Sequence, residues 1–101
     1  MHRYCKIADV IAQLHVDEQF LHALEAENLI EVKHTLEGDV VISSDDVERV
    51  RVAALLTGEL DVNFPGLEVI MHMRDSMLAM QQQFSDILDA LVQEMRHKLP
   101  R

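Results

Sequence analysis

The sequence predicts a mainly α fold in which a short β-hairpin sits between helices and a long helix closes the chain. Three observations predict it. Apolar residues recur at helical spacing over residues 7–14 and again after Asp17. A β-branched run, Val40-Val41-Ile42, follows the turn residues Glu37-Gly38-Asp39. From Pro65 to Lys98 the only residue that interrupts helix-forming sequence is Gly66.

In the first helix, Ile7, Val10, Ile11 and Leu14 fall at i, i+3, i+4 and i+7, which is one helical face. His15-Val16 breaks the pattern. Asp17 is the expected N-cap of a second helix, with Glu18 beside its positive end. Phe20, Leu21 and Leu24 point inward, and Asn28 is a suitable residue for the left-handed position just past the end. Leu29 to Val32 and Val40 to Ile42 are the two arms of the expected hairpin. Ser44 is the expected cap of a third helix running from Asp45 to about Thr57, with Val47, Val50 and Ala54 on its inner side. Gly58 to Val62 reads as a connector. Asn63 caps the last helix, and Pro65 stands in its first turn, where proline is tolerated. An unbroken helix from there to Lys98 has about 35 residues and is roughly 50 Å long, with a bend near 72–76 left open.

The last helix carries a heptad pattern. Ile70, Met77, Phe84 and Leu91 recur every seven residues, Met73, Met80 and Ile87 follow three later, and Leu88 and Met95 widen the stripe. Methionine fills irregular gaps but specifies geometry weakly. One helix cannot bury this stripe alone. A homodimeric coiled coil is the preferred reading, and folding back onto the preceding helices is the alternative.

Composition narrows the function. The chain has 101 residues, 49% of them hydrophobic, which suits one small domain plus an extended element. Cys5 is the single cysteine, so no internal disulfide forms, and it reads as a small hydrophobe. No apolar run is long enough for a signal peptide or a membrane span, and a cytoplasmic protein is expected. Net charge is −9, which disfavours nucleic acid and anionic membranes as ligands and favours a basic partner. Acidity of this size also serves solubility alone. His2, His15, His22, His34, His72 and His97 show no paired ligand spacing, and His72 with Glu68 and Asp75 reads as a solvated cluster. With no nucleophile triad and no glycine-rich phosphate loop, neither an enzyme nor a cofactor is expected.

The order of elements resembles a MerR-like winged helix-turn-helix, and the resemblance extends to residues. Lys6-Ile7-Ala8-Asp9-Val10-Ile11-Ala12 is similar to the family's first helix, and His15-Val16-Asp17 stands where the family has Gly-Val-Ser. Leu21 through Leu29-Ile30 and Ser44-Asp45-Asp46-Val47-Glu48-Arg49-Val50 resemble the following segments. Asn63-Phe64-Pro65-Gly66-Leu67-Glu68-Val69-Ile70 and Met73-Arg74-Asp75 are similar to the heat-shock-repressor branch and, more closely, to chaperone-modulator proteins of the CbpM type. The resemblance covers about residues 4 to 80. It implies a winged helix-turn-helix-like domain over 1–60 and a helical dimerisation segment over 61–101.

The departures concern DNA. Members that bind DNA carry arginine where this chain has Gln19 and His22, and paired tyrosines where it has Ala23 and Leu24. Their wing reads Gly-Tyr-Arg-x-Tyr, against Gly38-Asp39-Val40-Val41-Ile42 here. Over residues 7–48 eleven acidic residues face one basic residue, Lys33, so the stretch would repel a duplex.

The chaperone-modulator resemblance implies a protein that binds the J-domain of a curved-DNA-binding-type co-chaperone and blocks its stimulation of a DnaK-type chaperone. The expected partner-binding residues are Glu31, Glu37, Asp39, Asp45, Asp46 and Glu48. Each has a plainer role available, as a helix-dipole partner or a solvated edge charge. The expected dimerisation residues are Ile70, Met73, Met77, Met80, Phe84, Ile87, Leu88, Leu91 and Met95. The alternatives are a DNA-binding transcriptional regulator using Arg3, Lys6, Lys33, Arg49 and Arg51, and a dimerisation module without a fixed partner.

Overall fold

A computed structural model describes residues 3–98. The order is β1 (Tyr4–Lys6), α1 (Ile7–Leu14), α2 (Glu18–Ala26), β2 (Lys33–His34), β3 (Val40–Ser43), α3 (Ser44–Gly58) and α4 (Phe64–Lys98). The contacts divide the chain into two compact units, Met1–Val69 and Ile70–Arg101.

The helix-turn-helix forms as its residues dictate. Asp17 caps α2 by accepting the Phe20 N–H at 2.7 Å. The turn before it begins at His15, which adopts the left-handed conformation (φ 56°). Glycine is the residue for which that conformation carries no steric cost, so His15 holds a backbone position that side chains rarely adopt. The end of α2 is a Schellman motif. Asn28 is left-handed (φ 58°), its N–H reaches the Glu25 carbonyl at 3.0 Å, and the Leu29 N–H reaches Leu24 at 2.9 Å. The accompanying apolar pair, Leu24 and Leu29, is buried.

That motif explains a shift in the wing. Leu29 and Ile30 are buried but make no strand; they continue inward from the helix end and join the core. The first arm of the hairpin is instead Lys33–His34, pairing with Val41 and Val40. The sequence also left Tyr4–Lys6 unassigned. It is a third strand, antiparallel to β3 with Tyr4 opposite Ser43, and the sheet order is β1-β3-β2. Gly38 closes the turn with φ +92°, which glycine adopts without penalty.

The cap of α3 is Ser43, whose Oγ accepts the Asp46 N–H at 3.1 Å, so Ser44 is the first helical residue and not the cap. Asn63 caps α4 by accepting the Gly66 N–H at 2.8 Å. The core of the first unit joins Val10, Leu21, Leu24, Leu29, Ile30, Val41, Ile42, Val50, Ala53 and Leu67. On α2, Phe20 is only half-buried, and on α3 the inner line is Val50 and Ala53, with Val47 and Ala54 half-buried beside it. Cys5 is half-buried on β1. α4 is one helix of 35 residues without interruption at 72–76.

Candidate functional site

The charged side chains gather where α2, the wing and the start of α3 meet. Both ends of this region are fixed by main-chain bonds to side chains. Asp46 sits in the first turn of α3 and its Oδ2 accepts the Glu31 N–H at 2.9 Å. One turn on, Arg49 Nε donates to the Leu29 carbonyl at 2.5 Å. Two α3 side chains therefore hold the segment that leads from α2 into the wing. Between them opens a groove of about 660 Å³ whose walls include Tyr4, Glu25, Leu29, Glu31, Lys33, Asp45, Asp46 and Arg49.

Three of the six expected contact acids, Glu31, Asp45 and Asp46, share this groove; Glu37, Asp39 and Glu48 lie outside it. Asp39 is at the wing turn. Its N–H donates to Thr35 Oγ1 at 3.1 Å, and its carboxylate stands 3.8 Å from Lys6 Nζ. Glu48 is bound two-pronged by Arg51 one turn along α3, which holds the Arg51 pKa above its usual value, by hydrogen bond and by charge. Glu37 is exposed at the turn.

Two members of the groove come from the outer strands of the sheet, Tyr4 from the unforeseen β1 and Lys33 from β2. Lys33 Nζ donates to the Tyr4 hydroxyl at 3.3 Å and lies 5.4 Å from the ring centroid, within cation–π reach. The hydrogen bond to Tyr4 is the main reason the Lys33 pKa is raised, with Glu31 and Asp46 adding charge. The one basic residue of the 7–48 stretch is thus engaged at home.

The positions that the sequence resemblance matched to DNA contacts are spread between surface and core. Gln19 and His22 are exposed on α2 and bring no fixed cation, Leu24 is in the core, and Val41 and Ile42 of the wing are buried. Among the described residues no group of three or more His, Cys, Asp or Glu could hold a metal, and no helix is long and apolar enough to cross a membrane.

The second candidate surface is the α4 stripe. Met73, Met77, Met80, Phe84, Ile87, Leu88, Leu91 and Met95 are each 45–67% exposed, while Ile70 is half-buried.

No curated protein matches the chain. The profile described as MerR HTH family regulatory protein matches residues 5–88, which takes in the helix-turn-helix, the wing and most of α4. With the winged fold described above, that match places this chain in the MerR helix-turn-helix family of regulatory proteins.

Proposed function

We propose that the chain is a chaperone modulator that works on a protein instead of on DNA. It binds the J-domain of a curved-DNA-binding-type co-chaperone and keeps that co-chaperone from stimulating its DnaK-type chaperone. One observation carries the reading: the helix-turn-helix and wing, residues 7–48, hold eleven acidic residues and one basic residue. A DNA-reading surface needs cations for phosphate and base edges. This one suits a basic protein face, and a J-domain presents a basic helix to its chaperone. Charge complementarity speeds the encounter and selects the partner, and a few desolvated apolar anchors supply affinity.

The contact acids are Glu31, Glu37, Asp39, Asp45, Asp46 and Glu48. Glu31 and Glu37 are the cleanest to test, because the hydrogen bond that ties Glu31 to α3 comes from its main-chain N–H and because Glu37 is exposed at a turn. In a titration of the full chain with a J-domain, Glu31→Lys with Glu37→Lys weakens binding about tenfold or more at low salt, and less as salt is raised. Unchanged affinity in the doubly reversed, folded protein overturns the acidic-face reading. Salt-sensitive binding to random duplex DNA by the unmodified chain overturns the proposal itself. The same proposal takes the chain as a homodimer joined along Ile70, Met73, Met77, Met80, Phe84, Ile87, Leu88, Leu91 and Met95.

A further inference from the structure

Lys33 reaches across the sheet. It stands opposite Val41 on one side of β3, and Tyr4 stands opposite Ser43 on the other. Val41 and Ser43 are two residues apart, so both pairs share one face of the sheet. In the order β1-β3-β2 the lysine stem passes over β3 to bring its ammonium to the Tyr4 hydroxyl and ring. A tyrosine ring beside carboxylates is a seat for a cation. Here the chain fills that seat with a cation of its own.

The seat opens onto the groove of about 660 Å³. In the groove walls four carboxylates, Glu25, Glu31, Asp45 and Asp46, outnumber two cations, Lys33 and Arg49. Arg49 is committed to the Leu29 carbonyl. Lys33 is exposed and held by a 3.3 Å hydrogen bond and a ring contact, both weak in water.

We propose that Lys33 is a displaceable plug: the Tyr4 ring and the groove receive an arginine side chain from the partner's basic face, and Lys33 swings out to admit it. The inference rests on the acidic-face reading above and names the pocket within that face. Arginine suits the seat better than lysine does. Its planar guanidinium stacks on an aromatic ring while its N–H fork still reaches carboxylates. One cation replaces another on the ring, so the exchange costs little, and the new carboxylate bonds favour the incomer. A weakly basic partner fails to displace the plug, which makes Lys33 a device for selection.

Tyr4 is the single tyrosine and the chain has no tryptophan, so tyrosine fluorescence of the full chain reports on the seat itself. The probe is tetra-arginine amide, which does not fluoresce, added at low salt to three proteins. They are the parent, Lys33→Met, which keeps the stem and loses the charge, and Lys6→Met. Lys6 is exposed, lies outside the groove and stands by Asp39, so its removal measures the gain from net charge alone. Lys33→Met should bind about tenfold tighter than the parent, with a saturating change in Tyr4 emission, and Lys6→Met no more than about twofold tighter. Equal gains in the two variants, or flat Tyr4 emission, overturn the plug. Tyr4→Leu added to Lys33→Met should erase the gain; if that double variant melts early, the comparison with Lys6→Met decides.

Calorimetric titration of the same proteins with a J-domain separates this inference from the reading it rests on. Binding that tightens about tenfold in Lys33→Met and not in Lys6→Met supports both. J-domain binding that is unchanged in Lys33→Met overturns the plug and spares the acidic face. Tetra-arginine that seats on Tyr4 in a chain to which no J-domain binds supports the plug and removes the J-domain.

Discussion

Asp46 reaches back fifteen residues to accept the main-chain N–H of Glu31, at 2.9 Å. An acid placed in the first turn of α3 thus anchors the entry to the wing as well as meeting the helix dipole. Asp46→Ala removes that acceptor and should lower stability by about 1 kcal/mol, or roughly 4–8 °C in Tm for a domain this size. Asp46→Asn, which keeps a carbonyl oxygen, should retain most of it. Thermal denaturation followed by circular dichroism checks both.

Two adjacent serines should behave differently. Ser43→Ala deletes the α3 cap and should cost about 1 kcal/mol. Ser44→Ala, at an exposed first helical position, should stay within about 0.5 kcal/mol of the parent. Equal losses in denaturant titrations would place the cap wrongly.

The Tyr4 hydroxyl raises the Lys33 pKa, so Tyr4→Phe should bring it back toward 10.5 while the ring stays beneath the ammonium. For a group whose folded pKa lies above its unfolded one, the stabilisation is complete below the unfolded value and fades as pH climbs through the folded value. The contact is therefore intact at neutral pH and disappears only in strongly alkaline solution. An NMR titration of the lysine side chain reads the shift directly.

Two glycines give opposite predictions. A Cβ at Gly66 would stand 3.0 Å from Asn63 Oδ1 and 3.1 Å from Val62 Cγ1, crowding the very cap that starts α4. Gly66→Ala should cost about 1 kcal/mol or more. At Gly58 the space is open and the backbone helical, so Gly58→Ala should stabilise by about 0.4–1 kcal/mol. Urea midpoints of the two variants should move to opposite sides of the parent.

The helices were legible because their information is local. Ile7, Val10, Ile11 and Leu14 repeat at the helical period, and the caps Asp17 and Asn63 sit where the periodic residues begin. The sheet was not. Tyr4–Lys6 is a strand only because β3, far along the chain, pairs with it, and three residues carry no signal of their own. Leu29 and Ile30 looked like a strand because they are apolar, but the left-handed Asn28 turns them into the core. At the site, the acids were visible as charge and their differing employment was not. Asp46 is tied to Glu31 and Glu48 to Arg51 through bonds that no composition reveals. Tyr4 entered the groove together with the strand that went unforeseen.

Because β1 lies against one edge of β3, the opening residues of the chain are part of the wing's scaffolding. Trimming the protein to begin at Ile7 would strip β3 of its longer hydrogen-bonded neighbour and leave it only the two-residue β2. The wing would slacken while all six expected contact acids were still present.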